Sequence, residues 1–583
     1  MLILSMISRV FLAGTLFFGL IVIFGLYAGA LGQFSFFSSA AIILAAAILS
    51  GVYVRNKTKI PNEKKNPALF VVLIAVLFAL LFVIISLPEG VFPVTCSDFY
   101  NHARTIRVDA ANGGFENISL QGNLTPSLFY LHSYPNGFYA LSIPFFFFLQ
   151  NSYLVATILA ALILILILFA VYSISHRAKI SPFASSIAVF FAAFSITSLW
   201  ILELGFLPQL LGSLFLLSAL YAFMRRDKVL FIISTAAMIT YPPLLGIEVL
   251  FLIGALVAPK LRLLPAALSK QLIPFTKFFS AKEALLFIGL AIIGILLVFP
   301  ETIGLLLQYG NVSFAKDNLF LIRGGIYTPN FFGLLPFLIS IAGLYFIFGK
   351  KEKYSLTAPI LLFILCSIIA SGVIVLVYAL NYVLHFSFKL ELTALYQAVK
   401  YFYFLLIALS IPAGVGAERL LNSRRKILRA VPIILMVLLF IYFVGYLSVL
   451  SEKRSEPFGY YGVAAIGDTL PRNSVLGIDS CMLISNTFSQ PWAYQSLIDR
   501  PDTGPNLCRQ TENTRAFQFS WANYNFENSR FRIYSDANKE VLLLGDEVDL
   551  SKPNVDYFIT NCRSLDSLLV KESFGVKLYK VTN

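Results

Sequence analysis

Charge is what this sequence has least of. Aspartate, glutamate, lysine and arginine make up 13% of the chain, against 58% hydrophobic residues and a mean hydropathy of +0.81. A soluble surface needs about a quarter charged residues, so a water-soluble globular chain is excluded. Carboxylates are scarcer still inside the apolar runs, where Glu248 alone lies well within one. No clear internal repeat, of the kind transporters tend to show, is found along the chain. The polar C-terminal part carries no Gly-rich nucleotide fingerprint, and no small-residue cleavage site follows the first apolar run. That run is therefore read as a helix and not as a signal peptide.

What the chain has in abundance is apolar runs of around twenty residues, each long enough to cross ~30 Å of hydrocarbon as a helix. They recur along the first 450 residues. The net charge of +14 does not point to nucleic acid, because the basic residues gather in the loops between these runs. The clusters are Arg55 to Lys65, Arg177 with Lys179, Arg225 to Lys228, Lys260 to Lys282, Lys350 to Lys353 and Arg424 to Arg429. This is the positive-inside pattern, and it sets orientation.

With those loops cytoplasmic, spans fall near 8–28, 35–54, 67–87, 152–175, 180–199, 205–224, 228–241, 243–258, 283–300, 330–348, 355–384, 398–418 and 429–450. The expected fold is thus an all-α polytopic membrane domain of about thirteen helices, followed by a small extracytoplasmic α/β domain. Residues 1–66 hold two N-terminal spans, 67–451 the main membrane domain and 452–583 the soluble domain. The N-terminus is cytoplasmic, and the chain is integral to the cell membrane. The spans at 228–241 and 243–258 are short for the hydrocarbon and meet at Tyr241-Pro242-Pro243. Residues 137–149, GFYALSIPFFFFL, are too short to cross, and a crossing there would turn Arg177 and Lys179 outward. They are read as an amphipathic helix in the outer interface, closing an external loop that covers 88–151.

In the soluble domain, strand-like runs stand at 474–478, 540–544, 555–559 and 575–581. Cys366 lies in a span, whereas Cys96, Cys481, Cys508 and Cys562 are external. Cys481 and Cys508 would suit a disulfide in an oxidising compartment, or equally stand as buried thiols. Sequons at Asn117, Asn123 and Asn311 are external too, and such short motifs arise often by chance.

The scarce polar chemistry gathers just outside the membrane, where ionisable groups are costly and tend to be functional. The stretch PVTCSDFYNHARTIRVDAANGG, residues 93 to 114, holds Asp98 and His102, four apart and so on one face of a helix, with Arg104 and Arg107 after them. The plain reading makes Asp98 a helix cap and His102 a solvated or core histidine. Other groups weigh against it. Lys316, Arg323, Lys389 and Lys400 break the positive-inside trend and would suit an anionic lipid phosphate, although interfacial snorkelling explains any one of them. Glu203 and Glu301 stand at external span ends.

These residues carry a resemblance. SDFYNHARTI, then YLHSYPNGFYAL leading into the 137–149 helix, resembles the first external loop of GT-C superfamily glycosyltransferases. LGFLPQLLGSLFLL, and ALYQAVKYFYFLLIALSIPAGVGAERLL as a late helix, extend it across roughly residues 67 to 450. The resemblance implies transfer of a sugar from a polyprenyl-phosphate carrier to an extracytoplasmic glycan, lipid or protein acceptor, with inversion. It places the essential acid of the first loop at Asp98, the general base, and a phosphate-binding cation at Lys400, where arginine is commoner. Arg323 is the second candidate for the phosphate, and His102 or Glu203 would orient the acceptor or a divalent cation. Asp98 lacks the adjacent second acid of some members, and two extra spans precede the loop. Mg²⁺ or Mn²⁺ would suit Asp98 with His102, yet no ligand spacing here is diagnostic. The rival class is a non-enzymatic polysaccharide or lipid transporter, or a cell-envelope assembly protein.

Overall fold

The computed structural model describes residues 2–57, 70–78, 99–115, 136–194, 207–263, 279–299, 301–302, 330–349, 357–384, 393–452, 564 and six strand segments between 476 and 580. Helices dominate. Leu, Ile, Phe, Val and Ala fill them, and in an apolar medium a helix is the way one segment satisfies its own N–H and C=O groups. In order they are α1 (Leu2–Ala30), α2 (Phe36–Lys57), α3 (Phe99–Asn112), α4 (Gly137–Leu149), α5 (Ser152–Arg177), α6 (Pro182–Phe194) and α7 (Leu207–Arg225). Then come α8 (Lys228–Ala237), α9 (Pro243–Val257), α10 (Ala281–Leu297), α11 (Asn330–Gly349), α12 (Ala358–Leu384), α13 (Thr393–Leu421) and α14 (Lys426–Glu452).

Helical residues stand at every expected span, residues 70–78 representing the one at 67–87. Among the described residues seven segments are long and apolar enough to cross a membrane: Ile7–Ala30, Phe36–Asn56, Ser152–Arg177, Leu207–Arg225, Pro243–Lys260, Phe404–Leu421 and Lys426–Gly445. The short pair behaves unequally. A 3₁₀ extension, Ala258–Leu263, lengthens α9 into a candidate span, while α8 stays short and ends in the 3₁₀ turn Met238–Thr240 before Pro242 and Pro243.

The helix ends explain themselves chemically. Asn151 caps α5 by accepting from the Leu154 N–H at 2.8 Å, and Asp227 caps α8 through Leu230. The Arg177 guanidinium donates to the Met224 carbonyl, one of the groups that the end of α7 leaves open. Ser181 caps α6 and donates to Glu418 near the end of α13.

α7 is the axis of the core: Leu207 through Met224 are all buried. A second tight assembly forms where α13 passes between α11 and α6. A Cβ at Gly343 would overlap the Pro412 carbonyl, and one at Gly414 would overlap the Ala184 carbonyl. Lipid exerts no hydrophobic pressure between helices, so such close approach at small residues is what holds them together.

Towards the C-terminus a mixed sheet has the strand order β2-β3-β1-β4-β6-β5. Its strands are β1 (Leu476–Asp479), β2 (Phe531–Tyr534), β3 (Glu540–Leu544), β4 (Tyr557–Thr560), β5 (Leu568–Ser573) and β6 (Val576–Lys580). β1 lies parallel to both β3 and β4, and the remaining pairs are antiparallel. The four expected strands are the four inner ones. The two that the pattern did not show, β2 and β5, are the two edges, where a strand pairs on one side only and carries charge, as Arg532, Lys571 and Glu572 do here. Cys481 and Cys508 lie outside the described residues.

Orientation is testable by thiol labelling in a background freed of native cysteines. Leu120→Cys and Tyr460→Cys should react from outside intact cells. Ala178 is buried, so its exposed neighbour is the better probe, and Lys179→Cys should react only after permeabilisation. Outside labelling at 179 would reverse the assignment of the loops.

Candidate functional site

The polar stretch after the third expected span is built into the helical body. α3 starts at the residue after Asp98. Its buried positions, His102, Ala103, Ile106, Asp109 and Ala110, recur at helical spacing and form one stripe, packed against α4 and α5. The helix stops at Gly113, whose φ of 74° suits glycine, and the Gly114 N–H returns to the Asp109 carbonyl. A Cβ at Gly114 would come within 2.8 Å of the Gly29 carbonyl oxygen and of the Gly32 Cα. That close approach allows two backbone bonds to the α1–α2 turn. Phe115 N–H donates to Gly29, and Phe34 N–H donates to Gly113. The Gly-Gly pair thus lets the end of α3 lie directly on the turn.

α4 has the bounds expected for 137–149 but a different setting. Gly137 through Pro144 are buried on every side, which an amphipathic helix cannot be. The amphipathic character expected of this helix from the sequence is corrected here. Its first two turns are enclosed by protein, because α1, α2, α3 and α5 all pack on it, and only its last turn is exposed.

Four contacts lock that enclosed end. The Glu301 carboxylate, just beyond α10, accepts from the Asn136 backbone N–H at 2.8 Å and from its side-chain amide at 3.1 Å. Asn136 makes no side-chain cap of its own, and Glu301 supplies the hydrogen-bond acceptors at the α4 N-terminus from outside that helix. Gly137 lies against Thr240, where an added Cβ would come within 2.8 Å of the threonine Cα. Ala140 lies against Gly25 of α1. One turn in, the Tyr139 hydroxyl stands 2.9 Å from His102 Nδ1. His102 is wholly buried beside Phe138 and Tyr139, with ring centroids 5.7 Å away in both cases.

Burial raises the Glu301 pKa above the usual carboxylate range, opposed by the two hydrogen bonds from Asn136. The fold therefore favours the protonated acid. That contribution is complete below the ordinary carboxylate pKa and is lost as pH rises through the shifted value.

The sequence-derived residues divide as follows. Asp98, Glu203 and Arg323, with Lys316 and Lys389, lie outside the described residues. Lys400 falls in the second turn of α13, since that helix begins at Thr393, ahead of the expected 398. His102 is brought to Tyr139, and Glu301 to Asn136. Among the described residues no group of three or more His, Cys, Asp or Glu side chains assembles that could hold a metal. Glu248 is buried in α9 and accepts from the Thr235 hydroxyl at 2.6 Å; its second oxygen has no hydrogen-bond partner among the described residues. A Cβ at Gly294 of α10 would come within 3.1 Å of Thr235, so α8, α9 and α10 meet closely around this acid.

Asn136 and Tyr139 were not found by reading the sequence. Their signal was faint: an Asn-Gly before an aromatic run, and a tyrosine three residues on. No protein-family model matches the chain, and no curated protein matches it.

Two substitutions test this packing by thermal unfolding in detergent. Tyr139→Phe should cost about 1–3 kcal/mol, the usual loss when a buried polar partner is removed. Gly137→Ala, forced against Thr240, should cost about 1–3 kcal/mol by overpacking. Wild-type stability in both would show that α4 is not held at these points. Glu301→Gln should also flatten the part of the pH dependence described above.

Proposed function

We propose that this protein is a membrane glycosyltransferase of the GT-C kind, with thirteen crossings and its soluble domain outside. It would move a sugar from a polyprenyl-phosphate carrier to an extracytoplasmic acceptor. The observation that supports this reading is the docking of the first external loop. α3 starts one residue after Asp98, presses its polar-bearing stripe into α4 and α5, and is bonded at its far end to the α1–α2 turn. A catalytic acid needs a fixed mounting, because a proton acceptor misplaced by ~1 Å loses up to ~10²-fold in rate. A free polar loop would offer none.

In this reading Asp98 takes the proton of the acceptor hydroxyl. The hydroxyl oxygen attacks the anomeric carbon from the face opposite the phosphate, the bond to phosphate breaks, and polyprenyl phosphate leaves with the bonding electrons. Lys400, with Arg323 second, would hold the phosphate as its charge grows, an effect that fixed cations exert strongly in a water-poor cleft. Glu203 would orient the acceptor. His102 would act in the same loop by holding α3 to α4 through Tyr139. No step is assigned to Mg²⁺ or Mn²⁺.

The transporter reading draws on Glu248, since an ionisable group deep in a membrane helix often marks a translocation path. One assay separates the two: single-turnover release of polyprenyl phosphate from a labelled lipid-linked sugar. Asp98→Asn should slow release by at least ~10²-fold with expression unchanged. Lys400→Gln should slow it roughly ten- to a hundredfold while Lys400→Arg is tolerated, because only the former removes a charge-assisted bond. A wild-type protein that moves the intact lipid-linked sugar across a bilayer without cleaving it would overturn the transferase reading.

A further inference from the structure

Glu301 stood in the sequence as an acid at an external span end, and its carboxylate is turned to Asn136. What it holds there is the start of a short chain of contacts. Asn136 immediately precedes α4. Within the next turn Tyr139 meets His102, and His102 is the fourth residue of α3. α3 in turn begins next to Asp98. We propose that Glu301 is a positioning residue, which fixes the height and rotation of α4 and, through Tyr139 and His102, the seat of α3.

Several features make this joint a coupling and not only a local cap. Both carboxylate oxygens are engaged, one by a backbone N–H and one by the Asn136 amide, so the contact defines an orientation as well as a distance. The first two turns of α4 are rigidly enclosed: Gly137 lies on Thr240, and Ala140 lies on Gly25, with no space for a methyl group at either glycine. Close-packed interiors transmit displacement instead of absorbing it. A shift at Asn136 therefore has to move Tyr139. The Tyr139–His102 pair is buried on both sides, and its polar atoms would be costly to separate, so α3 follows. The Asn136 side chain leaves its own helix uncapped in order to reach Glu301, which gives the joint a direction: the end of α10 holds α4, and α4 holds α3.

For catalysis this inference rests on the glycosyltransferase reading, in which Asp98 must be placed accurately. The mechanical part stands apart from it and is measured separately. Hydrogen–deuterium exchange on the full-length protein in nanodiscs, run on wild type and Glu301→Ala, reads the coupling. Faster exchange is expected in 137–149 and also in 99–112, with 152–177 unchanged. The swapped pair, Asn136→Asp with Glu301→Gln, reverses the roles of amide and carboxylate and should restore slow exchange in both segments; Asn136→Asp alone should not, because it sets two acids face to face. In the release assay, Glu301→Ala should lower turnover about tenfold or more, at unchanged KM for the lipid-linked donor, and the swapped pair should recover it. Change confined to 136–140 would overturn the proposal, as would loosening that spreads to 152–177, or failure of the swapped pair to restore α3. Exchange that behaves as expected in a protein whose wild type releases no polyprenyl phosphate would leave the joint standing and overturn the transferase reading instead.

Discussion

Hydrocarbon offers no hydrogen-bond partner, and most of this structure is an answer to that constraint. Every N–H and C=O in the apolar runs needs a partner within the protein, which is why the runs are helices and why side chains or neighbouring helices serve their ends. Asn151, Asp227 and Ser181 cap from within their own segments, whereas Arg177 and Glu301 reach across to another helix. The few polar side chains held inside follow the same rule. Buried serines such as Ser142, Ser175 and Ser213 return their hydroxyls to the carbonyl one turn back, and Glu248 takes the hydroxyl of Thr235.

Lipid does not drive helices together, so association rests on fit. The glycines show where fit matters most. Gly25 admits α4, Gly294 seats α10 on α8, and Gly343, Gly414 and Gly416 let α13 nest between α11 and α6. Each brings backbone within van der Waals reach of backbone, and α3 and α4 dock on helices packed in this way. α3 and α4 show the consequence. Neither is long enough to cross ~30 Å of hydrocarbon, yet both bury much of their length, because the longer helices around them approach closely at small residues.

The legible part of the sequence was its periodicity and its distribution of charge. Helical segments stood at each apolar run, α4 took its expected bounds at 137 and 149, and the four inner strands of the sheet fell on the strand-like runs. These are one-dimensional properties: run length, spacing and composition are set by the local medium, which the residues themselves report. The two edge strands escaped notice for the same reason, since an edge needs less apolar surface and its pairing is decided by a distant partner.

Pairing across the chain was not legible. Glu301 reaches Asn136 over 165 positions, and Tyr27 reaches the Leu297 carbonyl over 270. Nothing in the local pattern around either residue encodes its partner. His102 could be read from the sequence as a ligand or as a core residue, and only packing placed it against Tyr139 and Phe138. α4 could be read as lying on a membrane or within protein, and only the arrangement of its neighbours enclosed it. The sequence alone determined that this is a helical, membrane-suited chain with strand-forming runs near its end, because hydrophobicity and period act residue by residue. Which polar groups meet was decided by the tertiary structure, because a hydrogen bond between distant segments exists only once close packing has brought their backbones together.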